Sequence, residues 1–403
     1  MDTFNNPFRP GAGQKPPYLA GRNTEQGEFV KLLNQIPVLE NLIITGLRGV
    51  GKTSLLDSLH PLSVKNNWLW AGTDLSESAS LSERNLSTRI ITDISSVTAA
   101  FSVFEYDDTN IGFAVKSERK EIKANFQYFM HIYNTTDGLE IDKLKAVLEN
   151  VWYLVKDKFR GIVLAYDEAQ ILKDQSADRQ YPLSLLLEVT QYLQRKQYPY
   201  LLVLTGLPTL LPNLVDTRTY AERMFHVLHL KKLTDEESRK AITTPTDTES
   251  CPVHFSDSAI QAIISYSGGY PYFIQFLCKE TFDSYILQFQ VAIKQPVVAL
   301  NDIIRKLDTD FHAGRWARIT DTQRNLMVII SQLPNADSEF TLQDITEKSK
   351  EVSEKPMSAS SINQHLNKLE NCGLIYKFRH GKYSFAVPML SEFINRQIDF
   401  DEF

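Results

Sequence analysis

The chain has 403 residues, more than one hydrophobic core ordinarily serves, so two or three domains are expected. With 43% hydrophobic and 23% charged residues it is neither a fibrous nor a disordered chain, and no apolar run approaches the ~20 residues of a membrane span. A net charge of −6 at pH 7 offers no general attraction to nucleic acid or to an acidic membrane, although a local basic patch is compatible with it.

The N-terminal residues Met1 to Asn6 lack the basic and apolar regions of a signal peptide. The three cysteines, Cys251, Cys278 and Cys372, are scattered and suggest neither a disulfide framework nor a zinc site. Both features point to a cytoplasmic protein. Residues 1–18, with Pro7, Pro10, Gly11, Gly13, Pro16 and Pro17, read as an extended arm. In the stretch that follows, Thr24 is placed to cap a helix carrying Phe29, Leu32 and Leu33 on one face. Leu19, Ala20 and Arg22, upstream of the first strand, suit two roles. They would cover an adenine base, or belong to an arm that only packs on the domain.

Glu40 to Thr45 has an apolar centre and reads as a buried strand. After it stands Gly46-Leu47-Arg48-Gly49-Val50-Gly51-Lys52-Thr53, a complete G-x-x-x-x-G-K-[ST] phosphate loop, and from Ser54 a helical pattern. The glycines let the backbone curl so that N–H groups point at phosphate oxygens, and the helix N-terminus adds partial positive charge. Lys52 would reach the β- and γ-phosphates and Thr53 would hold Mg²⁺. The residues from Gly46 to Ser54 are therefore the candidate ATP or ADP site.

Trp68 to Ala71 reads as a second strand. Residues 73–160 are expected to be a mostly helical insertion region, with helical spacing from Leu86 to Phe101 and from Ile141 to Val155, and a short strand at 110–115. Gly161 to Asp167 is an apolar strand that ends in two acids, Asp167 and Glu168. In a P-loop ATPase the aspartate orients the Mg²⁺ shell and the glutamate polarises the attacking water. Tyr181 to Lys196 is an amphipathic helix. Tyr200 to Thr205 is a fourth strand, whose terminal Thr205 hydroxyl is placed to contact the γ-phosphate or the water. Arg218 and Arg223 precede a fifth strand, Met224 to Leu228. Arg223 abuts it and is the better candidate for an arginine finger, with a surface salt bridge as the alternative.

Leu233 opens a helical section to about residue 313, started by a Thr234/Glu237 capping box. Within it Gly268 and Gly269 end one helix and Pro271 suits the first turn of the next. That turn is either helix punctuation or a lid that touches the nucleotide. From about residue 316, three helices and a hairpin turning at His380-Gly381 read as a winged helix. Its third helix offers Asn363, Gln364, His365 and Lys368, and its wing Arg379 and Lys382. Residues 318–403 hold 10 Lys+Arg against 12 Asp+Glu, so an interaction or regulatory role is favoured over DNA binding.

The assembled pattern resembles the AAA+/STAND side of the P-loop NTPases, and in particular the origin-recognition-like ATPases of bacteria and archaea. The resemblance covers nearly the whole chain. It rests on Pro10-Gly11, Leu19-Ala20-Gly21-Arg22 with Glu25, the loop at 46–53, and Asp167-Glu168 with Gln170. It continues through Thr205-Gly206-Leu207-Pro208, Tyr220 to Phe225, Gly269 to Phe273, and Gly373 to Tyr376 with Phe385 to Pro388. It implies an α/β fold: a P-loop NTPase core at 19–232 with a five-stranded parallel sheet, a helical lid at 233–315 and a winged helix at 316–403. Thr205 then resembles the sensor at the end of the fourth strand. Arg223 stands where the class places an arginine, and Pro271 resembles the lid proline that contacts nucleotide in the STAND group. One departure is that no arginine follows Pro271 until Arg305, unlike the lid of replication initiators. The expectation is an ATP-binding, slowly hydrolysing, nucleotide-dependent switch using Mg²⁺. It would have an unidentified protein partner, no membrane attachment, and room to oligomerise with ATP bound. The alternatives are a DNA-binding ATPase of the initiator or loader type and a nucleotide-bound scaffold without hydrolysis.

Overall fold

The computed structural model describes residues 5–11, 13–111, 114–248, 251–291, 293, 296–353, 355–379 and 381–401. The chain divides into two compact units. One comprises Asn23–Thr45 and Leu55–His229. The other takes in the arm up to Arg22, the loop Gly46–Ser54 and everything from Leu230 onward.

The first unit is built on parallel strands β1 (Asn41–Thr45) and β2 (Trp68–Asp74). An antiparallel ribbon follows, β3 (Ser102–Ile111) and β4 (Ala114–Lys123). The sheet is completed by β5 (Gly161–Asp167), β6 (Tyr200–Gly206) and β7 (Phe225–His229). The five-stranded sheet has the order β2-β5-β6-β1-β7, parallel throughout. Strands β1, β5 and β6 are buried along their whole length, as their unbroken apolar runs require when helices cover both faces. The helices Glu83–Thr98, Glu140–Val155 and Pro182–Arg195 contribute Ile90, Ile94, Val147, Val151, Leu186 and Leu193 to this core.

Asn41 is the polar exception at the start of β1, and its bonds explain it. Its Oδ1 accepts from Leu202 N at 2.9 Å and from Gln194 Nε2 at 2.9 Å, and its Nδ2 donates to Met224 O at 3.2 Å. One buried amide thus joins three neighbouring elements.

Residues 102–123 depart from the sequence expectation. The short strand expected at 110–115 is the far end of two ten-residue strands, paired from Ser102–Lys123 to Ile111–Ala114. Gly112 and Phe113, in that expected strand, lie outside the described residues. The segment is rich in charge at 105–108 and 116–123, and apolar and charged residues alternate only briefly, at Phe104 to Asp107, too short a run to mark a ten-residue strand. Thr24 also differs: the helix Asn23–Leu33 begins one residue before it, so Thr24 lies within the first turn.

In the second unit the arm is held down. Phe8 is buried in the lid core, 5.9 Å from the Phe255 ring and 6.4 Å from Phe282. Asn6 Nδ2 donates to Lys279 O at 3.0 Å and Asp283 Oδ1 at 2.8 Å. Burial of a phenylalanine side chain is worth about 2 kcal/mol, most of what holds such an arm. Phe8→Ala should therefore release it. Chymotrypsin should cut after the exposed Tyr18 several-fold faster than in the wild type, and an unchanged cleavage rate would place the anchor elsewhere.

The lid helices are Asp235–Thr243, Asp257–Ser267, Pro271–Gln290 and Leu300–Leu307. The Thr234/Glu237 capping box forms as expected, and Gly268 (φ 55°) ends the second of these helices while Pro271 opens the third. A π-helical segment, Asp308–Ala313, leads out of the lid. The helices Asp321–Ser331, Leu342–Val352 and Ala359–Asn371 follow. With them comes an antiparallel sheet of β8 (Phe340–Thr341), β9 (Ile375–Arg379) and β10 (Lys382–Phe385), in the order β8-β10-β9. This is a winged helix, closed by the helix Leu390–Asp401. His380, at its expected turn, lies outside the described residues. Among the described residues no helix is long and apolar enough to cross a membrane.

Candidate nucleotide site

The phosphate loop leaves β1 at Thr45 and enters the helix Lys52–Lys65. Gly49 (φ 77°) and Gly51 (φ 93°) adopt left-handed backbone that residues with a Cβ resist. At Gly49 space is short as well, since a Cβ there would stand 3.1 Å from Tyr272 Cβ. The Tyr272 amide donates to Gly49 O at 3.1 Å and so fixes the curl from the lid side. Lys52 is buried and arches back over the loop, its Nζ donating to Gly46 O at 3.0 Å and Leu47 O at 3.1 Å. Thr53 and Ser54 follow, half-buried, in the first helical turn.

Arg22 is buried and grips the loop from outside. Its Nη2 donates to Val50 O at 3.0 Å and to Lys231 O at 2.9 Å. Ala20 sits in the lid core and Leu19 is half-buried beside it in sequence. Pro271 lies next to the loop, its Cγ 3.8 Å from where a Gly51 Cβ would be.

The exposed Arg48 reaches the winged helix. Its Nη2 comes within 3.8 Å of a Cβ placed on Gly373, the residue between the third helix and β9. A second route runs through aromatic rings. Tyr272 packs on Phe311 with centroids 5.0 Å apart, and the Arg315 guanidinium lies 4.7 Å over the Phe311 ring. Burial, and then the positive charge of Arg48, push the Arg315 pKa down.

The acidic strand end belongs to the first unit. Asp167 is buried, and its Oδ1 accepts from the Thr205 hydroxyl and, at 2.8 Å, from Glu168 N. Thr205 thus stands beside the aspartate, as neighbouring strands β5 and β6 dictate. Glu168 turns out of the strand with φ 53°, left-handed backbone uncommon for a side-chain-bearing residue. Gln170 Nε2 donates to Glu168 Oε2, and Gln170 Oε1 accepts from Leu207 N at 3.0 Å. Asp74 pairs in register with Asp167. Burial, followed by Asp167, Glu168 and Asp57, raises its pKa.

Of the two arginines before β7, Arg218 forms the salt bridge, with Nε 3.2 Å from Glu188 Oε1. Arg223 ends the short helical turn Thr219–Arg223 with its side chain exposed. Asp167, Glu168 and Thr205 are thus gathered in one unit, and the loop, Arg22, Ala20 and Pro271 in the other. The linear sequence assigns no individual role to Gln170 or Tyr272. Gln170 sits on a 3₁₀ turn, Ala169–Ile171, where no periodicity marks it, and Tyr272 acts through its backbone amide.

A family model described as "Domain of unknown function (DUF8462)" matches residues 309–394, the π-helical segment and most of the winged helix. No curated protein matches the sequence. Among solved structures, the ADP form of the ORC2 protein of Aeropyrum pernix aligns over 97% of this chain and 97% of its own. Its TM-score is 0.56 at 13% identity. The same protein in its ADPNP–ADP complexes aligns over 98% of each chain with a TM-score of 0.53, also at 13% identity. This chain shares that fold. The origin-recognition-like resemblance carried by the motifs therefore holds for the architecture: a P-loop α/β core followed by a helical section and a winged helix.

Proposed function

We propose that this chain binds ATP with Mg²⁺ at Gly46–Ser54, hydrolyses it slowly, and uses the bound nucleotide to set the arrangement of its winged helix. One observation carries the reading. The loop that would hold the phosphates is hydrogen-bonded to the lid at Tyr272, and its Arg48 side chain reaches within 3.8 Å of the space a Cβ on Gly373 of the winged helix would fill, all within one compact unit. A ligand shifts a conformational equilibrium only by its different affinity for the two states. A triphosphate and a diphosphate differ at the phosphate end, where these contacts converge. The ADP and ADPNP–ADP complexes of the A. pernix ORC2 protein, of the same fold, add support for a nucleotide.

In this reading Lys52 exchanges its loop carbonyls for β- and γ-phosphate oxygens, and backbone amides of the loop take the rest. Thr53 and Asp167 offer the hard oxygen donors that suit Mg²⁺, which would neutralise charge on the β- and γ-phosphates. Glu168 accepts a proton from the attacking water, Thr205 orients Asp167, and Arg223 approaches the γ-phosphate from its own or a neighbouring subunit. Pro271 borders the nucleotide from the lid. Leu19 and Ala20 flank the adenine, and Arg22 shapes the loop.

A second reading, a DNA-binding ATPase, draws on the exposed Asn363, Gln364 and Lys368 of the third winged-helix segment. The excess of acidic over basic residues from 318 onward weighs against it. Turnover of the wild type beside Glu168→Gln, with and without duplex DNA, separates the readings. The switch predicts slow turnover indifferent to DNA and at least about tenfold lower in Glu168→Gln, with nucleotide binding retained. Equal turnover would remove Glu168 from the chemistry, and DNA-stimulated turnover would favour the second reading. Bound nucleotide without turnover would leave a scaffold.

A further inference from the structure

We infer that Gln170 is a positioning residue for Glu168, tying its carboxylate to the end of β6 beside Thr205. The inference rests on the proposed role of Glu168 in polarising water. Glu168 is exposed and sits on a left-handed backbone, so nothing in its own strand fixes its side chain. Gln170 supplies the missing constraint. Leu207 N can only donate, so the Gln170 atom it meets at 3.0 Å is the amide oxygen. That sets the amide's orientation and aims its NH₂ group at Glu168 Oε2.

Space for this bridge comes from Gly206. A Cβ at that position would lie 2.6 Å from Gln170 Oε1 and push the amide away. In the step served, the water oxygen bonds to the γ-phosphorus and a water proton passes to Glu168. The bond from phosphorus to the bridging oxygen breaks, and its electron pair leaves on ADP. The same bridge couples the carboxylate to the strand end that carries Thr205 and the turn at Leu207.

The test compares steady-state ATP hydrolysis by full-length wild type, Gln170→Met, Gln170→Glu and Glu168→Gln, together with the two double variants. Methionine keeps the length and removes both hydrogen bonds. Glutamate keeps an acceptor for Leu207 N and sets a second carboxylate against Glu168. Gln170→Met should lower kcat about tenfold with KM for ATP unchanged. Gln170→Glu, which keeps the acceptor for Leu207 N but loses the donor to Glu168, should lower kcat by a similar factor with KM for ATP unchanged. In the Glu168→Gln background neither change should lower turnover further. If Gln170→Met retains wild-type kcat while Glu168→Gln loses it, the inference is overturned and the role of Glu168 stands. Equal losses in both backgrounds would also overturn it, by showing that Gln170 does not act through Glu168. A Glu168→Gln protein as active as the wild type would overturn the underlying role and the inference together.

Discussion

Lys52→Ala should weaken binding of Mg²⁺–ATP at least about a hundredfold. The ammonium is buried in the curl of the loop, and its present partners include the backbone carbonyls Gly46 O and Leu47 O. With nucleotide present those neutral acceptors would give way to anionic phosphate oxygens, so that each bond joins two opposite charges rather than a charge and a neutral carbonyl. Each factor of ten in affinity corresponds to about 1.4 kcal/mol, so a loss of two charge-assisted contacts accounts for the effect. Lys52→Arg should not rescue binding, because a planar fork does not fit a curl shaped around a point charge. Calorimetric titration reads both variants. Affinity within a few-fold of wild type in Lys52→Ala would contradict the phosphate-loop assignment.

His312→Phe should abolish a large acid sensitivity of the lid and winged-helix unit. His312 lies on the π-helical segment, almost fully buried, stacked on Phe393 at 4.9 Å and flanked by Phe273 and Phe311. Among the described residues neither ring nitrogen has a hydrogen-bond partner. Burial first, then the positive charges of Arg396 and Arg315, lower its pKa from 6.5 to about 3. Arg396 is itself paired with Asp308, at 2.6 and 2.8 Å. Below pH 6.5 the unfolded chain takes up a proton that the native protein refuses, so stability falls as the pH drops from 6.5 towards 3. At about 1.4 kcal/mol per unit, the loss is roughly 3 kcal/mol near pH 4.

Phenylalanine removes the titrating group and both unsatisfied nitrogens while keeping the stack. At neutral pH it should gain about 1 kcal/mol from the lost desolvation penalty. Denaturant unfolding at several pH values checks this. A variant as acid-sensitive as the wild type would place the sensitivity in other groups.

The elements read well from sequence are those that physics marks locally. Strands β1, β2, β5 and β6 carry apolar runs closed by a turn or an acid, and all five sheet strands fall within a few residues of their expected places. The capping box at Thr234, the Gly268–Pro271 punctuation and the winged helix carry local backbone chemistry that a linear pattern displays. The β3–β4 ribbon does not, because its strands are defined by pairing with each other across the hairpin and not by an apolar run in the sequence. The arm carries no periodicity because its apolar anchor, Phe8, acts through a core supplied by residues 233–307, with Asn6 bonded to Lys279 O and Asp283. Arg22 gave a polar signal of ambiguous meaning, and its partners, Val50 O and Lys231 O, are backbone atoms distant in sequence. The π-helical segment has no sequence signature of its own, yet it carries the buried His312 and aligns Phe311 between Tyr272 and Arg315.

The central claim is that nucleotide state sets the winged helix, and one measurement addresses it most directly. Glu168→Gln protein, loaded with Mg²⁺–ATP or Mg²⁺–ADP, is compared by small-angle scattering and limited proteolysis, with Lys52→Ala as the unbound reference. The account expects two distinct profiles, with cleavage around residues 308–320 differing between the nucleotides and Lys52→Ala responding to neither. Identical profiles and cleavage patterns with ATP and ADP, both demonstrably bound, would contradict it.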